Sequence, residues 1–151
     1  MAMVYPIDFS MEMKGAKLEL SGDYDFKFIF DHDALNDFDV ELSKIPDDKR
    51  AGVARSLLAA SATYCMSGFL CYMLRTRGVD VNGISSTSSV KMGKDDKGKS
   101  FVEGLNLEIH VDIPDESRDV LDHCVNILKD GCIVTRSLKK GIHVNHTISC
   151  K

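Results

Sequence analysis

A chain of 151 residues is long enough for one domain with a real core. Its 44% apolar and 28% charged residues exclude a disordered or fibrous protein. A net charge of -4 without a Lys/Arg-rich run gives no electrostatic footprint for nucleic acid and no basic segment for a membrane surface. The first residues, MAMVYPIDFSMEMKG, have neither the basic start nor the apolar run of a secretory leader. Five cysteines are present: Cys65, Cys71, Cys124, Cys132 and Cys150. An odd count without a leader points to a reducing, cytoplasmic compartment rather than a disulfide framework.

Residues 11–20 have the pattern of a first strand, and Ser21-Gly22-Asp23 is a turn signal. Tyr24, Phe26, Phe28 and Phe30 then alternate with other residues, the period of a strand with an aromatic inner face. Residues 38–42 make a short third strand. Pro46-Asp47-Asp48 opens a helix that runs to about Arg77, with Gly78 as its left-handed stop. Residues 56–74 carry no charge and are apolar on all sides. Such a helix either spans a membrane or lies at the centre of a soluble protein. Its small and hydroxyl residues, and the amphipathic strands around it, favour a helix swallowed by a sheet rather than a membrane span. A helix of ~38 Å is long for so short a chain to enclose, so a second copy in an intertwined homodimer is expected to cover the rest.

A hairpin follows, with arms at 79–92 and 100–113. Leu105, Leu107, Ile109, Val111 and Ile113 alternate with polar residues in its second arm. Pro114-Asp115-Glu116 starts a second helix with Val120, Leu121, Cys124 and Leu128 inward, ended by Gly131. Residues 133–140 form a short helix, and Ile142 to Ile148 form a last strand. The architecture expected is α+β, in one domain over 1–151.

Residues 93–100, Gly-Lys-Asp-Asp-Lys-Gly-Lys-Ser, match the letters of a phosphate-binding loop. That loop needs a helix N-terminus after it, and here a strand pattern follows. A charged hairpin tip is the better reading. Among the cysteines, Cys132 stands apart. It follows a helix-ending glycine and precedes a helix, where free N–H groups lower a thiol pKa. Cys65 lies mid-helix. Cys71 is roughly 9 Å further along the axis, too far to pair with it. Cys124 falls on the inward stripe of its helix, and Cys150 is next to the last residue.

The run Leu57-Leu58-Ala59-Ala60-Ser61-Ala62-Thr63-Tyr64-Cys65, followed by Arg75-Thr76-Arg77-Gly78-Val79, resembles the central helix of the OsmC/Ohr family. The stretch Cys132-Ile133-Val134-Thr135-Arg136-Ser137-Leu138 is similar to that family's second cysteine motif, and the order of elements matches over nearly the whole chain. The resemblance implies antiparallel sheets wrapped around a long central helix in an intertwined homodimer. It implies a thiol peroxidase with catalytic Cys65 and Cys132. Cys65 attacks a hydroperoxide and becomes a sulfenic acid, Cys132 condenses with it, and an external dithiol reductant opens the disulfide. No metal, flavin or haem is required. Leu58, Met66, Phe69 and Tyr72 are the expected apolar substrate pocket, suited to organic hydroperoxides.

Three departures stand against this pattern. The family's active members hold the thiolate with an arginine from an N-terminal strand and a glutamate ten residues before the cysteine. Here no arginine precedes Arg50, and position 55 is Arg55 rather than an acid. The proline of the second motif is Ile133. Arg55 is the candidate to stabilise the thiolate in place of the missing arginine, with Lys14 a weaker one. The alternative left open is a member of the same fold without peroxidase turnover, binding a small hydrophobic ligand or a partner. His146 is read as a core histidine on the last strand. His143 faces the other side, and His110 lies on a polar face. His123-Cys124 has no second pair at zinc spacing. Asp31, His32, Asp33 and Asp37 form a solvated acidic turn.

Overall fold

The computed structural model describes residues 15–142 and 144–150. The chain divides into two compact units, Met1–Val53 and Ala54–Lys151.

The first unit is a three-stranded antiparallel sheet in the order β1-β2-β3: β1 Ala16–Leu20, β2 Asp25–Phe30 and β3 Phe38–Glu41. The part of the expected first strand before residue 15 lies outside the described residues. The period-two aromatics place Phe26, Phe28 and Phe30 half-buried, and Phe38 stacks on Phe28 with ring centres 4.9 Å apart. Tyr24 falls just outside β2 and is exposed, with the Arg50 guanidinium 5.1 Å from its ring centre. Asp25 holds the turn after β3, accepting from the Ser43 N–H at 2.8 Å and the Ser43 hydroxyl at 2.5 Å. The acidic turn is self-contained: Asp37 accepts the Phe30 N–H and His32 Nδ1 accepts the Ala34 N–H.

The second unit is built on α1, Val53–Thr76. A separate one-turn 3-10 helix, Asp47–Lys49, takes up the Pro46-Asp47-Asp48 start, so the long helix begins later than its sequence signal. Its C-terminus closes as expected at Gly78, with φ of 78°. The Gly78 N–H donates to Arg75 O and the Val79 N–H to Leu74 O, both at 3.1 Å, and Val79 folds back into the core. These two hydrogen bonds satisfy carbonyls that a helix end leaves free.

Beside α1 lies an antiparallel hairpin, β4 Gly83–Lys94 and β5 Ser100–Asp112. Leu105, Leu107, Ile109 and Val111 turn inward, and Asn106, Glu108, His110 and Asp112 stay in solvent. At the tip, the N–H groups of Lys97 and Lys99 donate to Asp95 Oδ1. The segment with phosphate-loop letters is therefore a turn between strands, its N–H groups spent on a carboxylate. The chain continues through a 3-10 turn, Asp115–Ser117, into α2, Arg118–Ile127. Leu128–Asp130 forms a second 3-10 turn, and α3 spans Ile133–Lys140.

The core joins the C-terminal half of α1 to α2 and the hairpin. Leu70, Met73, Leu74, Val79, Cys124 and Leu128 are buried together, with Ile109, Val111, Val120 and Leu121 packed on them. Cys124 is a core side chain, as its stripe on α2 indicates. The Ser67 and Ser86 hydroxyls, 2.7 Å apart, pin α1 to β4.

The expectation of a last strand is corrected here. Within its own chain α1 is covered only in part: in its most apolar 18-residue window 28% is buried. The run Asp47–Thr76 is long and apolar enough to cross a membrane by length and composition. The hairpin covers one side of α1 and cannot surround it. Moreover, residues 142 and 144–148 form no strand. Ile142, Val144 and Ile148 are exposed, and so is His146, which is no core histidine. An alternating apolar segment forms a strand only where a sheet edge receives it, and among the described residues none pairs with it. His143 lies outside the described residues.

Candidate active site

Cys65 and Cys132, 67 positions apart in sequence, meet in the second unit. Two features bring them together. Residue 131 must adopt a φ of 92°, which glycine alone takes readily, and this reverses the chain after α2. Cys132 is then the N-cap of α3 in extended conformation, with φ -81° and ψ 179°. The N-terminus of α3 faces the middle of α1, where Cys65 stands.

The two thiols lie close enough to shift each other's ionisation, and both are reduced. Burial pushes the Cys65 thiol up, and the neighbouring Cys132 sulfur pushes it further. The N–H groups of Val134 and Ile133, at the open end of α3, pull the other way without cancelling this. For Cys132 burial also works upward, but donors outweigh it: the Cys65 thiol, the Thr135 hydroxyl, and the N–H groups of Thr135 and Val134. Cys132 therefore lies below the ordinary cysteine range and Cys65 above it. The first charge of the pair rests on Cys132, with Cys65 as donor, whereas the family resemblance puts the thiolate on Cys65.

Thr135 closes the cap. Its Oγ1 accepts the Cys132 N–H at 2.9 Å and lies 3.4 Å from Cys132 Sγ. This is the reciprocal spacing of a capping box, with a thiol and a hydroxyl in the two roles. Access divides the two sulfurs: Cys132 is 3% exposed, while Cys65 is only partly buried.

The other expected site residues are placed unevenly. Leu58, Cys65, Phe69 and Tyr72 fall on one stripe of α1, at spacings of seven, four and seven residues from the cysteine. Phe69 and Tyr72 stack, with ring centres 6.4 Å apart. Met66 turns instead to the core and packs on its buried cluster. Arg55 stands in the first turn of α1, about 15 Å along the axis from Cys65, and does not meet that sulfur in the same chain. Its expected service to a thiolate falls to the N–H groups of α3. Lys14 lies outside the described residues. A groove of about 550 Å³ is on the other side of α1, lined by Ser56, Ala59, Ala60, Thr63, Tyr64, Ser88 and Val90. Among the described residues no group of three potential metal ligands gathers.

The sequence pattern of the OsmC-like proteins matches residues 49–147. The chain belongs to the OsmC-like family, and its α+β architecture is that family's fold. The fold is similar to that of an osmotic stress induced and detoxification response protein from Psychrobacter arcticus 273-4, with a TM-score of 0.60 and 20% identity over 89% of this chain and 92% of that one. An OsmC-like protein from Mycoplasma pneumoniae gives a TM-score of 0.65 and 14% identity, covering 85% and 89%. A hypothetical protein from Aquifex aeolicus VF5 gives 0.61 and 17%, covering 86% and 89%. No curated protein sequence matches this chain.

Proposed function

We propose that this protein is a thiol-dependent peroxidase that reduces organic hydroperoxides through Cys65 and Cys132. The observation that carries the reading is the nearness of a partly accessible thiol to a buried thiol of lowered pKa. A proton passes from Cys65 to the neighbouring Cys132 thiolate, which makes Cys65 the nucleophile. The Cys65 thiolate attacks the terminal peroxide oxygen, the O–O bond breaks, and the alkoxide leaves. Cys132 returns the proton to that alkoxide, giving the alcohol, and is a thiolate again. The Cys65 sulfenic acid then meets the Cys132 thiolate. The S–S bond forms and hydroxide leaves, taking a proton as water. An external dithiol reduces the disulfide and is itself oxidised. No step needs a metal or organic cofactor.

The stripe of Leu58, Phe69 and Tyr72 favours an apolar hydroperoxide. The functional unit is a homodimer of one OsmC-like domain, in a reducing, cytoplasmic setting. A role in the response to oxidative stress follows from that chemistry. One equivalent of cumene hydroperoxide is expected to yield a Cys65–Cys132 disulfide by peptide mass spectrometry, and turnover with dithiothreitol is expected to vanish in Cys65→Ser. A wild type without disulfide and without turnover overturns the reading.

One observation favours a second reading, an OsmC-like protein that binds a small hydrophobic ligand or a partner without turnover. The Cys65 thiol is raised, so little Cys65 thiolate exists at neutral pH. The same hydroperoxide experiment separates the two.

A further inference from the structure

The reciprocal cap at the start of α3 uses a side chain that the thiol-pair chemistry has not yet employed. The Thr135 hydroxyl accepts the Cys132 N–H at 2.9 Å with one of its lone pairs, and its single proton has two destinations. One is Cys132 O and the other Cys132 Sγ, each 3.4 Å away. Cys132 O already accepts the Arg136 N–H at 2.8 Å. A thiolate attracts the proton more strongly than a carbonyl that has a partner, because a hydrogen bond to an ionised acceptor is about twice as strong. Gly131 makes the arrangement possible: a Cβ there would overlap Thr135 Oγ1 and press on Thr135 Cβ. The glycine thus serves both the left-handed turn and the space that the hydroxyl occupies.

We propose that Thr135 is a positioning residue of the site, which orients the Cys132 sulfur and donates its hydroxyl proton to it when the sulfur is charged. This rests on the thiol-pair reading for its catalytic meaning, though not for its geometry. Thr135 acts through Cys132: it keeps the resolving sulfur charged and aimed at Cys65, so the sulfenic acid is captured as it forms. The groups that act on Cys132 are Cys65 from α1 and, from its own helix, Thr135 with the Val134 N–H.

The test is a pH titration of the cysteine Cβ resonances by NMR in the full-length protein, with Cys132→Ser assigning the signal. Thr135→Val removes the hydroxyl and keeps the shape. It is expected to raise the Cys132 midpoint by about one pH unit. Thr135→Ser, which retains the hydroxyl, is expected to restore it. Thr135→Ala loses the same group without adding bulk, and decides the matter if the valine variant does not fold. An unchanged midpoint in the valine or alanine variant overturns the proposal, as does an equal rise in the serine variant. With cumene hydroperoxide, the hydroxyl-free variants are further expected to accumulate Cys65 sulfenic acid. If the wild type forms no disulfide, the peroxidase reading fails, and the titration still decides what Thr135 does.

Discussion

At the scale of single residues, the site depends on where one proton sits between two sulfurs. The pair holds both protons at low pH, and neither sulfur is then a nucleophile. Because the first proton leaves below the ordinary cysteine value, the rate of disulfide formation is expected to fall as pH drops through that lower midpoint. Stopped-flow mixing with cumene hydroperoxide across pH checks this. A midpoint at or above the free thiol value contradicts it. Gly131 is the most constrained backbone position at the site. Gly131→Ala combines a left-handed φ with a collision against Thr135, and should cost about 1–3 kcal/mol in urea unfolding. Gly104→Ala serves as control: it has ordinary backbone, and its nearest neighbour stands 3.9 Å from the added carbon. Cys132 was visible in the sequence because a helix-ending glycine precedes it. Thr135 was quoted there only as a letter in a motif, since a hydroxyl at the third position of a short helix has no periodicity to announce it.

At the scale of elements, the alternating segments were legible and the central helix only in part. β2 and β5 have a period of two over enough residues to set both type and inner face. The long helix announced itself by length and by Gly78, but not by a face. It is apolar all round, and only contact with the hairpin and α2 selects Leu70, Met73 and Leu74 for the core. Leu74 is fully buried, so Leu74→Ala is expected to cost about 2–5 kcal/mol, measured by the shift in the denaturation midpoint. The last strand failed for a related reason. Ile142, Val144 and Ile148 have the right spacing, but spacing supplies no partner edge.

At the scale of the whole molecule, the open question is what covers α1. Tyr64 is 80% exposed, in the middle of the uncharged stretch 56–74 of α1. An apolar surface of that length is stable in water only when something lies on it. The proposed homodimer would lay a second copy of the chain on it. Sedimentation velocity is expected to give twice the chain mass. Tyr64→Lys places a charge on this surface and is expected to shift the species to a monomer. A wild type that sediments as a monomer at micromolar concentration overturns the dimer.

By itself the sequence determined what local rules decide: strand faces from alternation, helix ends from Gly78 and Gly131, and a hairpin tip in place of a phosphate loop. It also marked Cys65 and Cys132 as a pair through family likeness. The packing of α3 against α1 was needed to bring Cys65 and Cys132 into one site and to lower the Cys132 thiol while raising that of Cys65. The physical reason is the same in each case. Charge and reach depend on distances through space, and those are set where α3 meets α1, not along the chain.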